Sequence, residues 1–380
     1  MRINITTSSY FPSVDGTSIV VQINVKALIE LGHDICVYTS EGSLSKYGET
    51  VYTFNIKGNG RLFNNFNGQI KEYTQILKEN SIQGSLNIYH GWHSWSTHLA
   101  LDLNLKDVKQ IVYSHGIGFN TLEPFFIKLI RKLLYYGQKK KIVHYMNILD
   151  AMIFISNDIK HPRNYDYFNF NKQKFLIDNP ILSRDTNLKD TDETKINYIE
   201  NILRDSNKLF LNISNYQSIK NQLFLINLIN TFEYESNIIF IGSKSNKYLD
   251  YLKTYTNRLS NKHRIHFFTN VSDHIIEYAL SKSYCFLFAS KNDFVPLVLI
   301  EANKFSLPFI SFKTADVKRK GGVFVKSNDE YIKMFKIFYN KNHNQLKSIG
   351  TEGYDYFINH NSYDIYKKNI NNIINTFDHK

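Results

Sequence analysis

The chain has 380 residues, is 43% hydrophobic and 21% charged, and carries a formal net charge of +12 with only two cysteines. That length supports two domains of ordinary size, and that composition excludes a disordered or low-complexity chain. No apolar run approaches the roughly 20 residues needed to span a bilayer, and the opening MRINITTSSYF has no long apolar segment of the kind a signal peptide needs. Cys36 and Cys285 both sit inside apolar, strand-like runs in different halves of the chain. They read as buried free thiols of a reducing compartment, so a cytoplasmic protein is expected. The excess of 46 Lys and Arg over 34 Asp and Glu fits anionic partners: nucleotide-sugars, acidic membrane surfaces or nucleic acid. It fits a generally basic surface equally well.

Ile3 to Thr7 starts the chain as a strand, and SSYFPSVDGTS follows as a turn. From Ile19 to Leu31 apolar residues recur at helical spacing, and Gly32 stops the helix. Asp34 to Tyr38 is the next strand, which makes a strand-loop-helix-strand unit and the start of a parallel α/β sheet. Residues 42–68 are rich in Gly and Asn and predict short strands and loops. Asn87 to His90 ends a further strand. HGWHSWSTH follows it, and His90, His93 and His98 fit no single helical face and no HExxH order, so no metal is expected. His90 and Trp92 lie at the carboxyl end of that strand, where α/β proteins bind ligands. An acceptor sugar on the tryptophan face and core packing are both open there.

Gln110 to Ser114 is a strand with His115-Gly116 at its carboxyl end. The long helical pattern EPFFIKLIRKLLYYGQKKKIVHYM, over 123–146, sets Phe126, Ile130, Leu133 and Leu134 against Lys128, Arg131, Lys132, Lys139, Lys140 and Lys141. It reads either as a core-facing helix with a solvated basic face or as a surface for anionic lipid. Ala151 to Ser156 and Phe175 to Ile177 are strands. SRDTNLKDTDETKIN, Ser183 to Asn197, is polar with no apolar period and reads as a linker.

In the second half Leu209 to Ile213 is a strand, and a polar turn bearing Asn215 and Lys220 leads into a helix from about Leu223. Ile238 to Gly242 and Arg264 to Phe268 are strands, and a helix begins near Val271 with Ser272 as its cap. Tyr284 to Ala289 is a buried strand, Ser290 to Asp293 a polar turn, and Pro296 stands where a helix begins. Leu297, Val298, Leu299 and Ile300 make that helix start apolar on every side. Glu301 then has no wet face to point at, and burying a lone carboxylate would cost on the order of 3 kcal/mol or more. It must pair or meet a ligand. The amides of the helix start favour an anion, so strand, turn, helix and Glu301 together predict a phosphate and polyol site. Phe309 to Phe312 is a strand, and Tyr363 to Phe377 is a C-terminal helix.

DFVPLVLIEA followed by SLPFIS resembles the donor-binding motif of retaining glycosyltransferases of the GT-B fold, the family-four type known as glycosyl transferases group 1. Asp293 and Glu301 stand at the acidic positions of its Glu-x7-Glu, and Ser306-Leu307-Pro308 stands at its Gly-x-Pro. YFPSVDGTS…ALIELGHDICVYT resembles the family's first unit, with Asp15-Gly16 in place of Gly-Gly. Asn215…Lys220-Asn221-Gln222 resembles its diphosphate-binding turn, with Lys220 at the lysine and Asn215 near the missing arginine. Asp178-Asn179-Pro180 matches a strand ending in Asn-Gly, and Gly321 to Val325 matches a Gly-x-Leu-Val strand.

The resemblance implies two Rossmann-like parallel-sheet domains facing a cleft. They are expected at 1–183 (acceptor side, with helix 362–380 packing back on it) and 198–361 (donor side), joined by a linker at 184–197. It implies a retaining hexosyltransferase that uses a nucleoside diphosphate sugar, UDP-sugar favoured, without metal or other cofactor. The acceptor would be a hydroxyl of a glycan or lipid-linked glycan. Glu301 would hold the ribose. Gly16, Asn215, Lys220, Pro296, Leu297 and Val298 would serve the donor phosphates, Asp293 and His115 the sugar hydroxyls, and His90 and Trp92 the acceptor. Helix 124–146 would rest on the inner face of the membrane. Other readings are an epimerase or phosphorylase on the same fold, a non-catalytic GT-B-like binding subunit of a glycosyltransferase complex, and a nucleic-acid binder. The last has no motif behind it.

Overall fold

The protein is described by a computed structural model that covers residues 1–58, 65–92, 94–117, 125–158, 161–182, 192–205, 208–232, 236–314 and 318–378. It divides into two units, Met1–Pro180 with Tyr363–Lys380, and Ile181–Ser362. Through the first unit run β1 (Arg2–Thr6), α1 (Gly16–Glu30), β2 (Asp34–Ser40), β3 (Thr50–Phe54), β4 (Ile56–Lys57), β5 (Asn67–Gly68), α2 (Ile70–Asn80), β6 (Leu86–His90), α3 (Trp95–Asp102), β7 (Lys109–Ser114), α4 (Phe125–Ile148), β8 (Ala151–Phe154), α5 (Tyr165–Asn169) and β9 (Gln173–Leu176). The second holds α6 (Asp192–Asp205), β10 (Leu209–Ile213), α7 (Gln222–Thr231), β11 (Asn237–Gly242), α8 (Lys247–Thr256), β12 (Ile265–Thr269), α9 (Asp273–Lys282), β13 (Cys285–Phe288), α10 (Leu297–Lys304), β14 (Phe309–Phe312), β15 (Gly322–Val325), α11 (Asn328–Tyr339) and α12 (His343–His360). α13 (Tyr363–Asn375) belongs to the first unit again.

The first sheet is ordered β3-β2-β1-β6-β7-β8-β9 and the second β12-β11-β10-β13-β14-β15. Every pairing in both is parallel. Such sheets are covered by helices on both faces, which is why their strands read as continuous apolar runs. The central strands β6, β10 and β13 are buried along their whole length. Both sheets wind outward from their first strand in one direction and then in the other. The winding reverses between β1 and β6 in the first and between β10 and β13 in the second. In open α/β sheets, ligands bind outside the carboxyl ends of the strands at that reversal.

In the second sheet the reversal is also a gap. β10 and β13 pair only at Phe210↔Cys285 and Leu211↔Phe286. One residue further on, the side chain of Asn212 takes over, its Nδ2 donating to the Leu287 carbonyl at 2.6 Å. Its Oδ1 accepts from Ser214 Oγ at 2.8 Å. The ladder thus ends early, and the loops after both strands are free to shape a site.

The linker expected at 184–197 lies partly outside the described residues, and where it is described it is not a linker. Residues 192–197 open α6, whose Ile196, Ile199, Ile202 and Leu203 pack into the second core. The apolar period begins inside the polar stretch and is completed only after it. α13 packs along α1, with Asn24 Nδ2 donating to the Tyr366 hydroxyl at 3.0 Å and Lys367 bonded to Glu30 at 2.7 Å.

α10 is tied to α12 by unusually close backbone approach. A Cβ on Gly350 would lie 1.8 Å from the Ser306 carbonyl oxygen, and one on Gly353 would lie 2.7 Å from Asn303 Oδ1. Ser306 itself is left-handed, at φ 51°. This is the position where a glycine stood in the Gly-x-Pro pattern, and the backbone shows why glycine suits it. Left-handed backbone costs an L-residue about 1–2 kcal/mol, part of which glycine returns as chain entropy. Ser306→Gly is therefore expected to raise unfolding free energy by about 0.5–1 kcal/mol. Gly350→Ala, despite its gain in helix propensity, should lower it by about 1–3 kcal/mol through overpacking. Urea unfolding of the two variants checks both signs.

Candidate functional site

The second unit builds its site from the loops after β10 and β13. Gln222, buried at the start of α7, donates from Nε2 to Ser214 Oγ at 3.0 Å and to the Asn215 carbonyl at 2.9 Å. That fixes the loop after β10. Asn215 is exposed and accepts from Ser243 Oγ at 2.7 Å, which brings in the residue that follows β11. The Ile219 carbonyl accepts from the Lys291 amide at 3.0 Å, and this joins the loop after β10 to the loop after β13. The joint sets Lys220 beside Asp293: Nζ donates to Oδ1 and Oδ2 at 2.8 Å each. The pair spans the reversal of the sheet. Both side chains are about a fifth exposed (21% each), so the pair is neither solvated nor sealed.

α10 begins four residues beyond Asp293. Pro296 is its N-cap, with ψ 121°, rather than its first helical residue as expected, and no side chain caps the helix. Its first amides, on Leu297 and Val298, are therefore left for water or a ligand. Glu301, 7% exposed, lies one turn further along. Lys220, Asp293, the α10 amides and Glu301 thus gather on one unit, at the end of the sheet where α/β proteins bind ligands.

The first unit places its residues differently. Asp15 is the N-cap of α1: Oδ1 accepts from the Thr17 amide at 3.1 Å and the Ser18 amide at 3.0 Å. Oδ2 accepts from Ser9 Oγ at 2.5 Å and Ser13 Oγ at 2.8 Å. Desolvation works against its ionised form, but the bonds from Ser9, the Ser18 amide, Ser13 and the Thr17 amide outweigh it and hold the carboxyl below its usual range. Gly16 is exposed at the start of this helix. Gly16, expected at the donor phosphates, thus lies at a helix end that Asp15 already caps. The helix end already holds a carboxylate, and a diphosphate would meet a like charge.

His90 and Trp92 are corrected as acceptor contacts. Trp92 is 7% exposed and belongs to the first core. Its Nε1 donates to Asp166 Oδ2 at 2.8 Å, so core packing is its role. His90 is fully buried and stacked on Tyr113 at 4.8 Å between ring centroids. Its Nδ1 faces His115 Nε2 at 3.2 Å. His98 is buried beside Phe66 and Tyr145, while His93 lies outside the described residues. Among the described residues no group of three or more His, Cys, Asp or Glu could hold a metal ion.

His115, at the carboxyl end of β7, keeps part of its surface. Burial is the main cause pulling its pKa down to about 4. Arg163 adds to this and Asp15 opposes it. Burial and His115 push His90 well below the usual histidine range as well. Both rings are therefore neutral at pH 7.

The sequence reading missed Asp166. It is fully buried on α5, accepts from Trp92 and Ser114, and stands beside the strand end that carries His115. Burial pushes its carboxyl up to about 6, although the hydrogen bonds from Ser114 and Trp92 oppose the shift. Nothing in YDYFNF marks it as interior, because its partners come from 52 and 74 residues away.

With the geometry described, comparison with known proteins places it. Residues 195–346 match the family model "Glycosyl transferases group 1". No curated protein matches the sequence. Among solved structures, the chain is similar to a glycosyltransferase from Rickettsia africae, at 17% identity and TM-score 0.71, over 99% of this chain and 98% of that one. Sucrose-phosphate synthase from Thermosynechococcus elongatus matches at 12% identity and TM-score 0.75, again over 99% and 98%. Anabaena HepE, solved in complex with UDP-glucose, matches at 13% and 0.69, over 99% and 100%. The fold is GT-B.

Asp166 gives this region a pH signature. Its folded pKa of about 6 exceeds the unfolded value, about 3.9. Its contribution is thus fully present below about pH 4 and is lost as pH rises through 6, a fall of about 3 kcal/mol. His90 and His115, depressed in the fold, give the opposite slope up to about 6.5. Subtracting the unfolding free energy of Asp166→Asn from that of the wild type at each pH isolates the carboxyl. The difference should decline between pH 4 and 7. A flat difference would mean that Asp166 titrates as an ordinary surface acid.

Proposed function

We propose that the protein is a retaining glycosyltransferase that moves a hexose from a nucleoside diphosphate sugar, UDP-sugar favoured, to a hydroxyl of a glycan or lipid-linked glycan. The observation that carries this reading is the Lys220–Asp293 pair across the reversal of the second sheet, beside the uncapped start of α10 and the buried Glu301. Cation and amides together suit a diphosphate, and a carboxylate one helical turn away suits the ribose hydroxyls. The group 1 match over the same unit and the UDP-glucose held by HepE support the same reading.

In this mechanism the bond from the sugar's anomeric carbon to the diphosphate oxygen breaks. A new bond to the acceptor oxygen forms on the same face, and the acceptor's proton passes to the departing phosphate. Negative charge grows on the diphosphate, where Lys220 Nζ and the Leu297 and Val298 amides are already in place. Asp293 holds Lys220 in position and shares it with the phosphate. It is thus a positioning residue for the cation as well as a sugar contact. His115, neutral at pH 7, holds a sugar hydroxyl without adding charge. Asn215 and Ser243 line the edge of the nucleotide site. Lys220 and the helix amides meet the charge that a metal would otherwise meet, so transfer should persist in chelator.

Thermal unfolding with a panel of nucleoside diphosphates and their sugars tests the donor site. A ligand at 100 times its Kd stabilises by about 2.7 kcal/mol. One nucleotide, expected to be UDP, should raise the midpoint, and Lys220→Ala and Glu301→Ala should each abolish the rise. If no nucleotide shifts the wild type, the donor-site reading fails.

The lipid side of the proposal rests on α4, where Lys140 is exposed and Lys139 and Lys141 are partly so. Residues 125–135 have backbone placement only, so Lys128, Arg131 and Lys132 lie outside the described side chains. No helix among the described residues is long and apolar enough to cross a membrane. Binding to anionic vesicles would be peripheral, and charge reversal of Lys139, Lys140 and Lys141 to Glu should abolish co-sedimentation. Unchanged co-sedimentation would remove the membrane from the proposal.

A further inference from the structure

In the first unit, four polar side chains form a line from α13 to the end of β7. Asn24 on α1 donates from Nδ2 to the Tyr366 hydroxyl at 3.0 Å. Its Oδ1 lies 3.3 Å from His90 Nε2. His90 Nδ1 lies 3.2 Å from His115 Nε2. Asn24, His90 and Tyr366 are fully buried, and the two histidine rings stack at 5.5 Å between centroids. Polar groups so deep at the end of central strands must be matched donor to acceptor, because each mismatch would leave a buried group unpaired.

With the Asn24 amide turned so that Nδ2 meets the Tyr366 hydroxyl, the matching has one direction. An amide oxygen can accept but not donate, so His90 carries its proton on Nε2. A neutral imidazole has one N–H, so His90 Nδ1 is an acceptor. His115 Nε2 must then be the donor, which leaves His115 Nδ1 without a proton. No described residue is hydrogen-bonded to that nitrogen.

We propose that Asn24 and Tyr366 are positioning residues that fix His115, through His90, as the Nε2–H tautomer, so that its free Nδ1 accepts a hydrogen bond from a hydroxyl of the substrate. The inference rests on the reading of His115 as a sugar contact and gives that contact its chemistry. A ring that offers a lone pair takes a hydroxyl group as donor. It repels a phosphate or carboxylate oxygen, which has no proton to give. The C-terminal helix thereby enters the site's chemistry from three residues away, although Tyr366 reaches no substrate itself.

Nitrogen-15 NMR of histidine-labelled full-length protein at pH 7 reads the tautomers directly, without substrate. His115→Gln and His90→Gln variants assign the signals. The wild type should show a pyrrole-type Nε2 and a pyridine-type Nδ1 on both rings. Asn24→Asp can only accept, and it should keep that pattern. Tyr366→Phe removes the partner that orients the Asn24 amide, and it should give a mixture of tautomers on both histidines. Because it removes a single oxygen, it is the variant most certain to fold. A pyridine-type Nε2 on His115 of the wild type would overturn the proposal, since it would mean the amide is turned and every polarity reversed. Unchanged spectra in Tyr366→Phe would overturn it as well. Failure of nucleotide binding in the thermal assay would count against the transferase reading while leaving this tautomer result intact.

Discussion

Lys220 and Asp293 share two hydrogen bonds across the one place where the second sheet reverses, and most of what surrounds them exists to make that meeting possible. Asn212 ends the β10–β13 ladder early, Gln222 fixes the first loop, and the Ile219 carbonyl ties it to the second. Such an arrangement makes little sense as stabilisation. An ion pair a fifth exposed on each side gains modest Coulomb energy and gives up hydration and side-chain freedom for it. It makes better sense as preorganisation. The ammonium is held at one spot by a partner that can share it, and an arriving anion need not order it.

The two sheet reversals are electrically unlike. After β1 the chain enters α1 through Asp15, whose carboxylate occupies the Thr17 and Ser18 amides. After β13 it enters α10 through Pro296, with no side chain on the first amides. One helix end is thus neutralised by the protein and the other is left for something else. Beside the first reversal His90, His115, Asn24 and Tyr366 offer neutral imidazoles, an amide and a phenol, with Asp15, Arg163 and Asp166 close by.

Much of this was legible in the sequence, for a physical reason. Parallel strands are buried on both faces, so Leu209 to Ile213, Ile238 to Gly242 and Cys285 to Phe288 stand out as apolar runs however far the sequence has diverged. Glu301 was legible as an anomaly, a carboxylate amid apolar neighbours. The linker was misread at 192–197 because α6 keeps its apolar residues for its second half and opens with acids that favour a helix start. Trp92 looked like a sugar platform because its spatial neighbour Asp166 is 74 residues away. Asp166, the Asn24–His90 contact and the Ile219 joint are pairings at long sequence separation. No local pattern carries them; only the fold does.

The chain's 26 tyrosines and 28 phenylalanines set a demand on its interior. Several tyrosines are interior, where another chain could use an aliphatic residue, and each needs a partner for its hydroxyl. Tyr10 donates to Glu49 at 2.6 Å, Tyr73 to the Ser96 carbonyl at 2.6 Å and Tyr331 to the Ile310 carbonyl at 3.0 Å. Tyr216 lies against Gly242, where any Cβ would come within 2.4 Å of its ring, and donates to the Phe268 carbonyl at 2.8 Å. These choices are mutually dependent: a tyrosine requires its acceptor, and the acceptor's neighbour must be small.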